Sequence, residues 1–135
     1  MILIHDERFY VPIEEGTKIH AIRTEEGGLW KRKEGSPIYM EYENRRGLLD
    51  KTYRYNGSQE IEFKWNTFLV GKVGQSHGVI LLIDGVSVVN SDDIIEQLYK
   101  NEGFKDRVEF FTDPHWFKKD FKGQIIHWTD FRYKV

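Results

Sequence analysis

The sequence predicts a mainly β protein of the α+β class, folded as a small, partly open β-barrel with two short helices. Strand-like alternation and turn signals occupy most of the chain, and helical periodicity is confined to two short stretches. Strands do not alternate with long helices, so a doubly wound parallel sheet is not expected. With 135 residues, no internal repeat and no linker, the chain is expected to form a single domain over residues 1–135.

The first half of the chain indicates two strands separated by turns. Gly16, after two glutamates, predicts a turn, and residues 18–23 alternate as a short strand does. Residues 37–42 predict a second strand, whose first residue is a proline that cannot donate to a ladder. Residues 43–60 are polar, and Asn56-Gly57-Ser58 is their strongest turn signal.

The second half adds the remaining strands. Residues 61–73 predict one long strand or a bent pair, and the apolar run 79–83 predicts a central strand. Asp84-Gly85 favours a tight turn, after which residues 86–89 return along the sheet. Residues 125–133 predict a closing strand.

The clearer of the two predicted helices begins after Ser91, a favourable N-cap residue, and ends at Gly103. Two aspartates follow Ser91 and complement the positive helix N-terminus. Its apolar face is expected to hold Ile94, Ile95, Leu98 and Tyr99.

The second predicted helix begins at Asp106, where Glu109 completes a capping-box pattern. Asp113-Pro114 is expected to break it, because the residue before a proline avoids helical angles. Its inward-facing side chains are expected to be Val108, Phe110 and Phe111.

Composition excludes several classes of protein. The chain has no cysteine, so a disulfide framework and a thiolate metal site are both ruled out. Its formal net charge of -2 argues against tight, non-specific binding of duplex nucleic acid. The N-terminus turns polar after four residues, and no apolar run could cross a bilayer. A soluble, cytoplasmic protein without a membrane partner is therefore expected.

Metal and phosphate-loop chemistry are not indicated. The five histidines show no paired ligand spacing, so no metal site is predicted. The glycines in residues 71–78 do not have the spacing of a Walker loop and favour a hairpin tip. No cofactor is expected from these patterns.

The residues near Lys18 are the first candidate site. Lys18, His20 and Arg23 alternate with apolar residues, which places cations on a surface anchored in a core. Such a surface suits an anionic or base-bearing ligand, although a mixed solvated surface explains the same charges. Aromatic residues are 15% of the chain, and rings among cations can stack on bases or simply fill a core.

Three motifs resemble a known family. The run G-x-K-x-x-x-I-R of residues 16–23, followed by W-x-x-x-x-G at residues 30–35, resembles the ASCH domain, a small β-barrel of the PUA-like superfamily. The ending G-x-I-I-H-W-T-D-F-R-Y of residues 123–133 resembles a subgroup often encoded by bacteriophages and prophages. Glu102-Gly103-Phe104 keeps the family's order, and the resemblance fades between residues 41 and 80.

The resemblance implies a ligand site and raises the question of catalysis. ASCH-like enzymes that deacetylate acetylcytidine are similar at a lysine, matched by Lys18, and at a distant glutamate, matched by Glu102. Their threonine falls on Ala21, which has no hydroxyl to act as a nucleophile. Strand alternation also turns Ala21 and Arg23 away from the face shared by Lys18, His20 and Ile22, unless a bulge intervenes. The alternatives are that Glu102 only fixes a loop or pairs with Lys18, or that Lys18 is an ordinary exposed lysine.

Four further residues complete the candidate set. Arg23 suits a bidentate clamp on phosphate or carboxylate, or a tie to the acidic residues after it. Trp30 and Trp128 are candidate stacking platforms, with Arg132 near a phosphate. The favoured role of Trp128 is structural, closing the barrel with Asp130 paired to Arg132 or Arg23, and stacking is the alternative.

The functional expectation is binding of RNA or a nucleotide-like ligand in a cleft lined by Lys18, Arg23 and Glu102. One alternative is an amidohydrolase acting on an acylated nucleoside, with Lys18 and Glu102 as its catalytic pair. Another is a phage-encoded protein, in the host cytoplasm, that binds a host protein or a nucleotide signal. The ligand-binding candidates are Lys18, His20, Arg23, Trp30, Glu102, Trp128 and Arg132.

Overall fold

The chain is a mixed α+β structure with mostly strands, as the sequence predicts. A computed structural model describes residues 1–24, 32–43, 52–70 and 74–135. These residues form eight strands, three short α-helices and one 3₁₀ turn. In chain order the elements are β1 (Ile2–His5), the 3₁₀ turn (Glu7–Phe9), α1 (Tyr10–Glu15), β2 (His20–Thr24), β3 (Pro37–Tyr42), β4 (Tyr53–Arg54), β5 (Ser58–Val70), β6 (Gly74–Ile83), β7 (Val86–Ser87), α2 (Asp92–Glu102), α3 (Arg107–Phe111) and β8 (Phe121–His127).

The strands form two sheets. The larger sheet has five strands in the order β2-β8-β5-β6-β7, and every neighbouring pair is antiparallel. The smaller sheet has the order β1-β3-β4, and its β1 and β3 are parallel. Across the four described ranges these sheets do not close into a barrel.

Two hydrophobic clusters meet at the paired strands β2 and β8. Successive side chains of a strand point to opposite faces. Accordingly, Ala21 and Ile126 pack in the cluster beside the small sheet, and Ile22 and Ile125 pack in the cluster beneath α2 and α3. The β2–β8 pair therefore forms the wall between the two clusters, and the candidate site lies at the start of this wall.

Helix α2 follows its sequence signals closely. The side chain of Ser91 accepts a hydrogen bond from the amide of Ile94 at 3.4 Å, as an N-cap residue does. Gly103 ends the helix with φ of 94°, a left-handed conformation that favours glycine. Both predicted ends of this helix are confirmed.

Helix α3 is also confirmed, but one of its side chains is not where the sequence predicts it. Asp106 caps the helix by accepting from the amide of Glu109 at 2.8 Å. Phe110 is fully buried, whereas Val108 is 71% exposed. Two residues span 200° of an α-helix, so Val108 and Phe110 lie on opposite faces and only one of them can face the core.

A third helix, α1, corrects the prediction of two. Its proline, Pro12, lies in the first turn, where a missing N–H costs no intrahelical hydrogen bond. Gly16 ends this helix at φ of 80°, so the predicted turn is the C-cap of α1. The sequence did not predict this helix because its six residues are too few to show a helical period of apolar side chains.

Two predicted strands are shifted along the chain. The strand predicted for residues 18–23 is observed as β2, which begins two residues later, at His20. The amides of Lys18 and Ile19 are not part of the sheet, because they donate to the main-chain oxygens of Pro12 and Asn101. The strand predicted for residues 125–133 is observed as β8, which ends at His127, where its partner β2 begins.

Of the other strands, β3 and β5 to β7 agree approximately with the sequence, whereas β1 was not predicted and β4 lies in the segment 43–60, where turns were expected. Residues 37–42 form β3, and β5 is a single long strand that pairs with β6 up to Val70 and Gly74. The predicted hairpin tip at residues 71–73 lies outside the described residues. Asp84 and Gly85 both have positive φ, as the tight turn into β7 requires. Within the described ranges, none of the helices has the length and apolar character to cross a membrane.

Candidate functional site

A buried ion pair joins the start of the large sheet to the end of α2. Lys18 is 1% exposed and Glu102 is 4% exposed. The Lys18 Nζ atom lies 3.1 Å from the Glu102 Oε1 atom and donates to the main-chain oxygen of Glu102 at 2.6 Å. The alternative that Lys18 is an ordinary exposed lysine is therefore wrong.

Local backbone contacts explain why this lysine turns inward. The amides of Thr17 and Lys18 both donate to the oxygen of Pro12, which folds the segment back against α1. The next amide, of Ile19, donates to the oxygen of Asn101 and fastens the segment to the end of α2. The Lys18 side chain then runs past Gly103, where a Cβ atom would lie 3.2 Å from the Lys18 Cδ atom. Any larger residue at Gly103 would crowd the lysine.

The carboxylate of Glu102 is held by three separate donors. Its Oε1 atom accepts from Lys18 and from the amide of Ile22 at 3.1 Å. Its Oε2 atom lies 2.7 Å from the Nδ1 atom of His20. The protein thus fills three of the about four acceptor positions of the carboxylate and two of the three protons of the Lys18 ammonium, so each group keeps about one position for a ligand.

His20 extends the network away from Lys18. Its Nε2 atom lies 2.6 Å from the hydroxyl oxygen of Tyr133, which also accepts from the side-chain amide of Asn101 at 3.2 Å. His20 is fully buried, and Tyr133 is 3% exposed. Tyr133 was not among the residues selected from the sequence.

Burial and charge set the protonation of the pair. Burial lowers the pKa of Lys18 to about 8, although Glu102 opposes the shift. Burial alone would raise the pKa of Glu102, but Lys18, His20 and Arg23 together hold it at about 2. At neutral pH the pair is thus an ammonium near its titration range beside a firmly ionised carboxylate.

Arg23 lies close to this pair with its guanidinium on main-chain oxygens. It donates to the oxygen of Ile22 at 2.9 Å and to that of Ile4 at 2.7 Å, and its Nη2 atom is 3.4 Å from the Nδ1 atom of His5. Within the described part of the chain, no carboxylate lies within ion-pairing distance of Arg23. Its charge is balanced only at longer range, by Glu102.

A cavity of about 430 Å³ opens beside these residues. Lys18, Glu102 and Arg23 line it together with His5, and His20 lies behind Glu102 outside the lining. The aromatic part of the lining consists of Phe9, Phe104, Trp116 and Phe121.

Exposed charged groups line the opening of the cavity. Arg8 lies over two rings, with its Cζ atom 4.6 Å from the centre of Phe9 and 5.2 Å from that of Phe104. Asp113 is buried beside it and lies 2.6 Å from the exposed ring of His115. These residues were not selected from the sequence. The pattern that could have indicated them is a cation next to a ring, Arg8 before Phe9, and a ring close to the candidate glutamate, Phe104 after Glu102.

The remaining candidates lie elsewhere. Trp128 packs its ring against His5 and Tyr53 in the second cluster and does not line the cavity. Arg132 donates to main-chain oxygens, including those of Asn56 and Phe131, and not to Asp130. Trp30 falls outside the described residues.

Ala21, at the position of the hydrolases' threonine, points away from the cavity. It is fully buried in the cluster beside the small sheet, opposite Ile22. A hydroxyl at this position on the observed strand would face apolar side chains. No group of three potential metal ligands forms within the described ranges either.

Comparisons with known proteins give no further information on this site. No protein-family model matches the chain, and neither curated proteins nor solved structures gave a match. The chemistry of the cavity therefore has to be interpreted from its own residues.

Proposed function

We propose that the chain is an ASCH-like, PUA-like domain that binds a nucleotide-like ligand, free or as an unpaired unit of RNA, in the cavity beside Lys18. The observation that carries this proposal is the combination of an arginine that pairs with no carboxylate among the described residues, Arg23, with aromatic walls in one cavity; Glu25 and Glu26, the other partners expected for Arg23, lie outside the described residues. Cationic and aromatic groups side by side suit a ligand that has both an anionic group and a planar base.

The size of the cavity supports a small ligand. Pockets for small molecules commonly measure about 300–1,000 Å³, and this cavity measures about 430 Å³. That volume suits one nucleoside or nucleotide and is too small for a longer strand.

The charges of the lining support the same scale of ligand. Asp6, Glu43 and Asp113 line the cavity as well as its cations. A surface that tracks a long phosphate backbone needs a broad excess of positive charge, which this lining lacks. A single phosphate or carboxylate held by Arg23 is compatible with these acids.

Lys18 supplies the second polar contact. Two of the hydrogen-bonding positions around its Nζ atom are directed at the main-chain oxygen and the carboxylate of Glu102. The ammonium also lies 4.6 Å from the centre of the Phe9 ring, so a ligand acceptor such as a base carbonyl would take its third proton beside this ring.

The direct test is ligand-induced stabilisation of the purified protein. Nucleosides, mononucleotides, cyclic dinucleotides and short single-stranded RNA are added separately while thermal unfolding is followed. A ligand at a hundred times its dissociation constant adds about 2.7 kcal/mol to the free energy of unfolding. Stabilisation by mononucleotides points to a free ligand, and stabilisation by RNA alone points to an unpaired unit of a strand.

Matched variants locate the binding. Arg23→Gln and Lys18→Gln are expected to abolish the shift, and Lys64→Gln, on an exposed side chain, is expected to retain it. A shift that survives in both cavity variants would contradict the proposal. No shift with any ligand would also contradict it and would favour the alternative of a protein partner.

The second candidate is hydrolysis of an acylated nucleoside. It is favoured by one observation: a cavity-lining lysine, Lys18, whose pKa is lowered to about 8 beside an ionised glutamate. Because Ala21 has no hydroxyl, water would have to be the nucleophile, with neutral Lys18 as its base. Incubation with acetylcytidine tests this candidate, and a rate that rises as the pH passes 8 and vanishes in Lys18→Gln is the expected result.

A further inference from the structure

We infer that Asp113 is a specificity-determining residue of the cavity beside Lys18, and that its free carboxylate oxygen selects a base with an exocyclic amino group. Cytosine is then preferred to uracil, and adenine to a purine that lacks the amino group. The inference rests on the proposed function, because it concerns which nucleotide-like ligand that cavity accepts.

One oxygen of the Asp113 carboxylate is engaged by the protein and the other is not. The Oδ1 atom accepts from the amide of His115 at 2.9 Å and lies 2.6 Å from the Nδ1 atom of the same residue. The Oδ2 atom lies 3.7 Å from the Nη2 atom of Arg8, which is too long for a hydrogen bond. Among the described residues, no group donates a hydrogen bond to Oδ2.

Burial makes this free oxygen selective. Asp113 is 8% exposed and lines the cavity, so a ligand that fills the cavity removes the remaining water from Oδ2. A buried acceptor without a donor costs free energy, so a ligand that brings an N–H group to this oxygen is favoured. Asp6 and Glu43 also line the cavity, but they are exposed and stay hydrated, so their oxygens select less.

Glu102, the other buried carboxylate of the lining, is less suited to this role. Lys18, His20 and the amide of Ile22 already occupy its oxygens. It keeps about one acceptor position, whereas both positions on the Oδ2 atom of Asp113 are open to a ligand.

The free oxygen lies near the aromatic wall of the cavity, where a planar base would stack. Arg8 approaches both, since its Nη2 atom is 3.7 Å from the Asp113 Oδ2 atom and its Cζ atom is 5.2 Å from the centre of Phe104. The amide of Trp116, another lining residue, donates to the main-chain oxygen of Asp113 at 3.2 Å. A phosphate is repelled by Asp113 and attracted by Arg23, so the base is the part of the ligand expected against Asp113.

The amino group is the donor that distinguishes bases of otherwise similar shape. Cytosine has an amino group where uracil has a carbonyl oxygen, and adenine has one where unsubstituted purine has hydrogen. The ring N–H of uracil lies between two carbonyl oxygens, which a carboxylate repels. A carboxylate oxygen therefore favours cytosine in the first pair and adenine in the second.

The test is isothermal titration calorimetry of the full chain with the 5′-monophosphates of cytidine, uridine, adenosine and purine riboside. Phosphate and sugar are the same within each pair, so the ratio of the two dissociation constants reports the contact with the base. The wild-type protein is expected to bind each amino nucleotide about tenfold more tightly than its partner, as one hydrogen bond to a charged group allows.

Asp113→Asn should reverse the preference between the two pyrimidine nucleotides. The amide of His115 keeps the asparagine oxygen in the position of Oδ1, so the asparagine NH₂ group takes the position of Oδ2 and donates to the uracil carbonyl. A purely structural role of Asp113 would change both affinities and leave their ratio unaltered. Asp93→Asn removes the same charge from an exposed residue outside the lining and should keep the wild-type ratio.

Two results would overturn the inference and leave the proposed function intact. One is equal affinity within both pairs for the wild-type protein, and the other is a preference for cytidine monophosphate that persists in folded Asp113→Asn. If this variant fails to fold, nuclear Overhauser contacts between the amino protons of bound cytidine monophosphate and the Cβ protons of Asp113 in the wild type decide, and their absence overturns the inference. Absence of binding by all four nucleotides would contradict the proposed function and the inference together.

Discussion

Lys18 and Glu102 are joined twice, since the Nζ atom of the lysine donates to the main-chain oxygen of the glutamate at 2.6 Å and lies 3.1 Å from its carboxylate. The main-chain oxygen belongs to the last turn of α2, where carbonyl groups lack intrahelical partners. A cation at this position is favourable, because the C-terminal end of a helix carries partial negative charge. The lysine thus completes the end of the helix as well as an ion pair.

Glu102→Gln should destabilise the protein in a pH-dependent way. Removal of the carboxylate leaves the Lys18 ammonium buried without its counter-ion, and breaking such a pair costs about 3–5 kcal/mol. The pKa of Lys18 should fall further, so the loss is largest near pH 6 and smaller near pH 9, where less work is needed to neutralise the amine. Urea unfolding of wild type and variant at both pH values measures the difference. An equal loss at pH 6 and pH 9 would show that the charge of Lys18 is not involved.

Acid should destabilise the folded chain through its buried histidines. Burial lowers the pKa of His5 and of His127 to about 3, and it also lowers the pKa of His20. As the pH falls below 6.5, the unfolded chain therefore binds protons that the folded chain does not, and stability present above 6.5 is lost. Each histidine contributes up to about 1.4 kcal/mol per pH unit to the slope.

Substitution of one histidine measures its share of the pH dependence of the free energy of unfolding. His127→Gln removes one of these titrating groups, so the decline in unfolding free energy between pH 6.5 and 4.5 should become shallower. Denaturant midpoints at three pH values suffice to see this. A variant with the wild-type slope would exclude His127 as a contributor.

Gly103→Ala should cost more stability than Gly85→Ala. Both glycines have left-handed φ, 94° and 79°, a conformation that costs an alanine about 1–2 kcal/mol. A Cβ atom at Gly85 meets nothing within 4 Å, but at Gly103 it would lie 2.9 Å from the ring of Phe9 and 3.2 Å from Lys18. The difference between the two variants in thermal unfolding measures this crowding, which we expect to be about 1–3 kcal/mol. Equal losses would mean that the Phe9 ring moves aside freely.

Arg132→Lys should affect the stability of the fold, whereas Arg23→Lys should affect ligand affinity. Arg132 holds main-chain oxygens of Asn56, Thr129 and Phe131, so a lysine there should lower stability by about 1–2 kcal/mol and leave ligand affinity unchanged. Arg23 lines the cavity, so its lysine variant should weaken binding of an anionic ligand. Affinity and thermal stability measured on both variants check the prediction. A loss of affinity in Arg132→Lys would show that Arg132 takes part in ligand binding.

Local signals in the sequence account for much of the fold. Caps at Ser91 and Gly103 fix α2, and the dipeptide Asp84-Gly85 fixes the last hairpin, because each acts on backbone atoms only a few residues away. Helix α1 is short and contains Pro12, so its formation depends on contacts with the rest of the chain and not on local helical propensity. Such contacts leave no period in the sequence.

Only part of the site could be predicted from the sequence, because some of its contacts join residues that are far apart in the chain. Alternation correctly turned Ala21 away from His20 but wrongly turned Arg23 away from the cavity, and the family resemblance suggested pairing Lys18 with Glu102 across the chain. The bond between His20 and Tyr133 joins residues 113 positions apart, which no local pattern records. For Trp128 a structural role was favoured over stacking on a ligand, and its ring packs against the second cluster.

The position of β2 at the edge of the large sheet affects when the cavity can be completed during synthesis. Among the described strands of that sheet, β2 pairs with β8 alone, and β8 begins at Phe121. A nascent chain that has reached the end of α3 already contains Lys18, Arg23 and Glu102 but lacks β8, the partner of the strand that carries Arg23. Contacts between distant parts of a chain form late, because closing the intervening loop costs entropy. The cavity beside Lys18 should therefore form only after β8 has left the ribosome, and shorter nascent chains should expose the apolar side chains of β2 to chaperones.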